Sequence, residues 1–222
     1  MPLPTDVDRT KQFRSGSIGE KNQQKVLAAA TTVFSRKGFA GARIEEIARH
    51  AGMSKPNLLY YYNNKTDLYR AVLVDVLSLW LDSIGEFHVD ADPLELMTHY
   101  IAKKMELSKL YPEASRVIAT EIISGSPVIE DFLRVQLYDW VASKGRVLLQ
   151  WQAEGLMAPI EPAHVFFMIW ASTQTYADFE SQISAVLRVD DYQTEVYDSA
   201  TSLVTEVLTR GLGLKSRNAV GH

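Results

Sequence analysis

Cysteine is absent from the 222-residue sequence. That excludes a disulfide framework, a thiolate zinc site and a cysteine nucleophile, and it fits a reducing cytoplasm, the expected location. Long apolar runs are also missing. The longest, Val165 to Ala171, falls far short of the roughly 20 residues needed to cross a bilayer, so no membrane partner is expected. The opening stretch MPLPTDVDRTKQFRSGS has no apolar h-region and is not expected to be a secretory signal. Histidines stand only at 50, 88, 99, 164 and 222, in no HExxH or other ligand-spaced set. There is no glycine-rich phosphate loop and no nucleophile motif with an evident base. The expectation is a chain without metal or cofactor that is not an enzyme.

What is present is ordinary in bulk and uneven in distribution. Hydrophobic residues make up 46% and charged residues 23%, as in soluble globular proteins, and the length suffices for a sizeable core. The net charge of −4 hides an asymmetry. Residues 1–65 carry 11 Lys and Arg against 5 Asp and Glu, whereas residues 66–222 carry 12 against 22. A basic head on an acidic body points to a polyanionic partner for the head, unless the clustering is accidental.

Residues 1–19 are polar and aperiodic and read as a disordered basic arm, whose Arg9, Lys11 and Arg14 either follow a phosphate backbone or are simply solvated. Val26, Ala29, Ala30, Val33 and Phe34 recur at three and four, predicting a helix from Glu20 to about Lys37 that ends at Gly38. A second, short helix carries Ile44, Ile47, Ala48 and Ala51 and stops at Gly52. Ser54 then caps a third, with Pro56 in its first turn and Leu58 and Tyr62 on one face. Two short helices across a tight turn form a helix-turn-helix, and 20–65 is read as its domain. Beyond it, helices are predicted over Thr66–Phe87, Pro93–Leu110, Pro112–Ser124, about 126–155, Pro162–Leu187 and Tyr192–Leu212. No segment alternates with period two, so the fold class is all-α, a three-helix head and a helical body over 66–222, for which a family resemblance implies DNA binding by the head and effector binding and dimerisation by the body.

Residues 26–73, VLAAATTVFSRKGFAGARIEEIARHAGMSKPNLLYYYNNKTDLYRAVL, closely resemble the DNA-binding head of the tetracycline-repressor (TetR) family. Phe34 with Lys37-Gly38-Phe39, Ile47-Ala48 with Ala51-Gly52, and Ser54-Lys55 with Leu58, Tyr62 and Lys65 fall at the family's spacings. One departure is Ala42-Arg43, where the family commonly has a threonine pair that caps the second helix. The segments LSLWL, LYPEASRVIATEIISGSP and FMIWASTQTYADF resemble the family's RutR-like, pyrimidine-utilisation branch, which implies a flat effector such as uracil or thymine.

The resemblance implies that the third helix enters a major groove. Lys55, Pro56, Asn57, Leu59 and Tyr61 then face outward, with Ser54 at the cap and Tyr60 at the boundary or in contact. Asn57 is suited to adenine, Pro56 and Leu59 to thymine methyls, and Tyr61, Lys65 and Arg43 to phosphates. In the body, Trp170, Thr173, Gln174 and Ala177 share a helix face. A glutamine amide sets a donor beside an acceptor, as a pyrimidine edge requires, and an indole can cover the ring. Trp80 matches the branch pattern, and Gln174 either meets ligand or bonds a backbone carbonyl. Arg116 and Glu121 either bind the ligand's other edge or form a buried ion pair, and Tyr176 is undecided. The last two long helices, through Val165, Phe166, Phe167, Ile169, Leu203, Val204, Val207 and Leu208, either pair with a second copy or close the chain's own core. The expected partners are therefore duplex DNA, a second copy of the chain and a pyrimidine-like effector. A purine or drug-like aromatic is the alternative effector, and a helical interaction module without one is the remoter reading.

Overall fold

The computed structural model describes residues 18–83 and 85–219, and the arm predicted over 1–19 lies outside them up to residue 17. Ile18–Glu20 already belong to the first helix. Among the described residues there are helices and no strand, which makes the chain all-α. It divides into two compact units between Tyr69 and Arg70, called here head and body.

The head consists of α1 (Ile18–Gly41), α2 (Ile44–His50), α3 (Lys55–Tyr61) and the opening of α4 (Lys65–Asp82). The three-four recurrence in α1 becomes its inner face: Val26, Ala30, Val33 and Phe34 are buried, and Phe34 meets the edge of Tyr69 at 4.8 Å between ring centroids. Gly38 is a kink, not the end expected of it. Its φ of 65° suits a residue without Cβ, and α1 resumes to Gly41. That turn sends Phe39 back onto Tyr69, at 5.0 Å.

The turn between α2 and α3 is built from local chemistry. Gly52, with φ 68°, donates its N–H to Arg49, and Met53 donates to Ala48, so the last carbonyls of α2 are satisfied in a Schellman motif. Two residues later the Ser54 hydroxyl accepts the Asn57 N–H at 3.4 Å and starts α3. Leu58 and Tyr62 face inward, and Leu58 is fully buried, an anchoring worth about 2 kcal/mol of transfer free energy.

The body holds the rest of α4, then α5 (Pro93–Leu110), α6 (Pro112–Ile123), α7 (Glu130–Phe132), α8 (Tyr138–Ala153), α9 (Pro162–Asp178), α10 (Glu180–Leu187), α11 (Tyr192–Glu195) and α12 (Tyr197–Gly211). Helices α7 and α8 are joined by a π-helical turn, Leu133–Leu137. The predicted span Tyr192–Leu212 divides at Val196 into α11 and α12, and three others are corrected by contacts made on folding. Helix α4 stops at Asp82, and Phe87 instead turns inward against Tyr100 and Trp151. The span predicted to begin at 126 starts late because the Glu121 carboxylate takes the Val128 N–H at 2.7 Å, while Gly125 and Ser126 both have positive φ. Helix α9 breaks at Phe179, where Arg116 of α6 has drawn the Ala177 carbonyl into a 3.1 Å hydrogen bond.

The body's main core lies where α5, α8, α9 and α12 meet, around Met97, Tyr100, Leu148, Trp151, Phe166 and Ile169. Helices α8 and α9 approach closely at Gly145, where a Cβ would stand 3.1 Å from the Pro162 ring. This packing determines which polar side chains of α5 and α9 turn inward.

Candidate functional site

Helix α3 turns outward part of the face read from the sequence, and Tyr60, left there at the boundary or in contact, is its most exposed large side chain. Lys55, Pro56, Asn57 and Tyr60 are exposed, Tyr60 at 70%, while Leu59 and Tyr61 are half-buried. The Asn57 amide makes no hydrogen bond among the described residues and keeps its donor and acceptor available for a base edge. Tyr61 is oriented by Asn22, whose amide donates to its hydroxyl at 3.3 Å. An open polar hollow of about 560 Å3 lies here, lined by Asn22, Lys25, Ser54, Asn57, Tyr60 and Tyr61 among others. Asn22 and Lys25 were missed in the sequence because they sit on the solvated face of α1, and only folding sets them beside α3.

The acids of α2 are neutralised by nearby lysines. Glu45 takes Lys55 and Glu46 takes Lys37, each at 2.7 Å, and each lysine bond holds its carboxyl below the usual carboxylate range. This removes the like-charge repulsion a polyanion would meet at α2. Arg43 is exposed at the N-cap of α2 and makes no side-chain cap bond, so the lost threonine is not replaced there.

Lys65 is placed differently from its predicted role as a phosphate clamp. Its ammonium donates to the carbonyls of Phe39 at 2.8 Å, Ala42 at 3.1 Å and Ala40 at 3.5 Å, and lies 4.5 Å from the Phe39 ring centroid. An ammonium has three protons, and three carbonyls around the end of α1 engage them. Lys65 fastens the kinked end of α1 to the start of α4.

In the body the predicted residues separate. Thr173 is fully buried, but its hydroxyl returns to the Ile169 carbonyl of its own helix at 2.8 Å, so no ligand is needed to satisfy it. The Trp170 indole N–H is taken by the Tyr100 hydroxyl at 2.7 Å, and its ring packs among Trp140, Phe166 and Phe167. Arg116 and Glu121 do not pair with each other: Arg116 bonds Ala177 O and Glu180, while Glu121 holds the Val128 N–H. Tyr176 is half-buried, with its carbonyl accepting the Tyr192 hydroxyl at 2.9 Å. Gln174, half-buried, makes no hydrogen bond among the described residues, so the backbone-bonded alternative is not what the structure shows.

Trp80 has a neighbour that the sequence reading missed. Lys104 is only 3% exposed, and its Nζ lies 4.3 Å from the Trp80 ring centroid. Burial pulls its pKa down to about 7, opposed by the charge of Asp178. Asp178, one turn beyond Gln174, accepts the Ser115 hydroxyl at 2.7 Å and is pushed up by its own burial. The Trp80 indole N–H is buried and has no acceptor among the described residues. A surface hollow of about 790 Å3, lined by Ala91, Leu94, His99 and Ser216 among others, takes in none of these side chains.

The proposed pairing stripes also divide. Val165, Phe166, Ile169, Val204 and Leu208 are buried within the body itself, so for these five the intramolecular alternative holds. Phe167, Leu203 and Val207 remain more than half exposed, as does Met168.

The helix-turn-helix head and the helical body define a class: the chain belongs to the TetR family of transcriptional regulators. Residues 26–72 match the bacterial regulatory proteins of the tetR family, and residues 73–215 match the C-terminal region of YcdC-like proteins. The chain is similar to the HTH-type transcriptional regulator RutR of Escherichia coli, at 39% identity over 204 residues, covering 92% of this chain and 96% of RutR. It also resembles the HTH-type transcriptional repressor NicS of Pseudomonas putida, at 25% identity, covering 87% of this chain and 93% of NicS. Its fold is that of SCO4942 from Streptomyces coelicolor, with a TM-score of 0.69 at 22% identity, covering 87% of this chain and 99% of that one. These relatives are regulators of transcription, not enzymes. No helix among the described residues is long and apolar enough to cross a membrane.

Proposed function

We propose that the chain is a dimeric repressor that holds a pseudo-palindromic operator and releases it when a flat heterocycle with a pyrimidine-like edge, such as uracil or thymine, occupies the body. The observation that carries the effector reading is Gln174, a half-buried amide with no hydrogen-bond partner among the described residues. Its donor and acceptor are not committed to another described residue, so a ligand edge can take them in exchange for water. The likeness to RutR across the body supports the same class of effector.

On the DNA side, Asn57 reads a base edge, Arg43 and Tyr61 touch phosphates, and Tyr60 lies against the backbone or groove wall. One head makes too few contacts for useful affinity, so two are joined through exposed apolar side chains on α9 and α12: Phe167, Met168, Leu203 and Val207. The effector favours a conformation whose paired heads no longer match successive turns of the duplex. It shifts the population only by its differential affinity for the two conformations.

The test is fluorescence anisotropy on a duplex selected from random sequence by the protein, titrated with uracil, thymine, cytosine and xanthine. Uracil or thymine should raise the apparent Kd for the duplex. Release by xanthine alone would move the effector to the purines, and a demonstrably bound pyrimidine that leaves DNA affinity unchanged would remove the mechanism.

A further inference from the structure

One acid stands at the surface of the basic head beside the side chains proposed to meet DNA. Glu45, in the first turn of α2, takes the Lys55 ammonium of α3 at 2.7 Å, and the two side chains are 62% and 48% exposed. They line an open hollow of about 500 Å3 with Arg49, Gly52, Met53 and Ser54 among others. Gly52, Met53 and Ser54 also line the polar hollow of Asn57 and Tyr60, so the two hollows adjoin. An ion pair this exposed adds little to stability, and an acid set beside a phosphate backbone costs affinity. Glu46 is a different case, because its bond to Lys37 and its 19% exposure tie it to the end of α1. Neither folding nor attraction to phosphate accounts for Glu45 at this place.

The pair carries the pattern of a base-pair edge. The Lys55 bond holds the Glu45 carboxyl below the usual carboxylate range, which leaves an acceptor next to an ammonium that only donates. In the major groove a G·C pair sets two acceptors, guanine N7 and O6, beside one donor, the cytosine N4 amine. O6 and N4 are hydrogen-bonded to each other at about 2.9 Å. Lys55 Nζ and the Glu45 oxygen are separated by 2.7 Å, so the two pairs of atoms can lie side by side. We propose that Glu45 and Lys55 together read one G·C pair in each half-site, the lysine donating to guanine and Glu45 accepting from the N4 of its cytosine. An A·T pair in the same orientation sets a donor against the ammonium and an acceptor against the carboxylate, and C·G does the same. A T·A pair matches one donor and one acceptor but puts the thymine methyl beside the ammonium. The order of preference is therefore G·C, then T·A, then the other two. This assignment rests on the proposed reading of DNA by α3 and adds Glu45, from α2, to the residues that set its specificity.

The experiment is anisotropy on the full chain with the selected duplex, a panel in which each base pair is replaced in turn in both half-sites, and a scrambled duplex. Wild type should show one symmetric G·C position at which replacement by A·T weakens binding at least tenfold. Glu45→Ala should lower that preference at least fivefold and bind the scrambled duplex more tightly, since an acid has gone. Lys55→Ala should relax the same position, and Glu45→Gln, which keeps an acceptor, should retain more of the preference than Glu45→Ala. The position relaxed by Asn57→Ala should be a different one and should be untouched in the Glu45 variants. If Glu45→Ala tightens every duplex by one factor with all preferences intact, the acid only neutralises Lys55 and the inference falls, while the reading by Asn57 stands. Relaxation at different positions by Glu45→Ala and Lys55→Ala overturns it as well. Two Glu45 variants that both lower the Tm and bind no duplex would make the residue structural, with the same consequence. A wild type that binds no duplex removes the proposed reading itself.

Discussion

In the head, the polar side chains proposed to meet DNA point outward. Asn57 and Tyr60 stand on the exposed face of α3, while Leu58 and Tyr62 behind them close the core. Where a lysine turns inward there, Lys65, three carbonyls receive it. In the body the arrangement is reversed: Lys104 and Trp80 are buried, the lysine ammonium over the indole ring, and the Trp80 N–H has no acceptor among the described residues. A surface that reads DNA can keep its contacts solvated until the duplex arrives, because water satisfies them in the interval. Polar groups buried in the body are held out of water in every state of the folded chain, which therefore bears the cost of desolvating them.

The comparison breaks most readily at Lys65. Lys65→Met removes the donor to three carbonyls and should destabilise the head by about 1.5–3 kcal/mol, read from the denaturant midpoint at constant m-value. The salt dependence of DNA binding by the folded variant should keep its slope. A slope lowered by about one ion would return Lys65 to the phosphates and make the two inward lysines alike.

A smaller effect sharpens the body's half of the contrast. Lys104 has a folded pKa of about 7 against 10.5 when free, so between these values the unfolded chain binds the additional proton. Stability should therefore rise with pH across that window, by at most about 1.4 kcal/mol per pH unit. Below it the lysine is charged in both states and the burial cost is felt in full. The stability difference between Lys104→Met and wild type should accordingly narrow as pH rises from 7 to 10, measured by urea unfolding. A difference independent of pH would mean that the ammonium is solvated.

The smallest expected change in stability is at Tyr60, which is 70% exposed. Tyr60→Ala should leave folding within about 0.5 kcal/mol of wild type while weakening operator binding in the anisotropy assay. Loss of stability without loss of DNA affinity would assign the ring to packing on its edge-on neighbour Tyr61, 5.4 Å away, and not to the duplex.

The contrast also explains what could be read in advance. In the head, each element is defined by neighbours in sequence: Gly52 ends α2, Ser54 starts α3, and Leu58 and Tyr62 share a face one turn apart. In the body, adjacent residues part company on folding. Lys103 pairs with Glu106 at the surface at 2.7 Å, while Lys104 beside it goes inward. Phe166 is fully buried and Phe167 is half exposed. Arg116 and Glu121 stand close in sequence yet take partners 61 and 7 residues away.

The order of residues alone determined that the chain is helical, where the helix-turn-helix lies, and that Leu58 and Tyr62 form the inner face of α3. Helical period, caps and turns are set by interactions within a few residues. Which lysine is buried, which indole lacks an acceptor, and which half of the α9 and α12 stripes stays exposed were decided only when α4, α5, α6, α9 and α12 packed. Each of those outcomes depends on contacts between residues far apart in the chain, and local pattern carries no record of them.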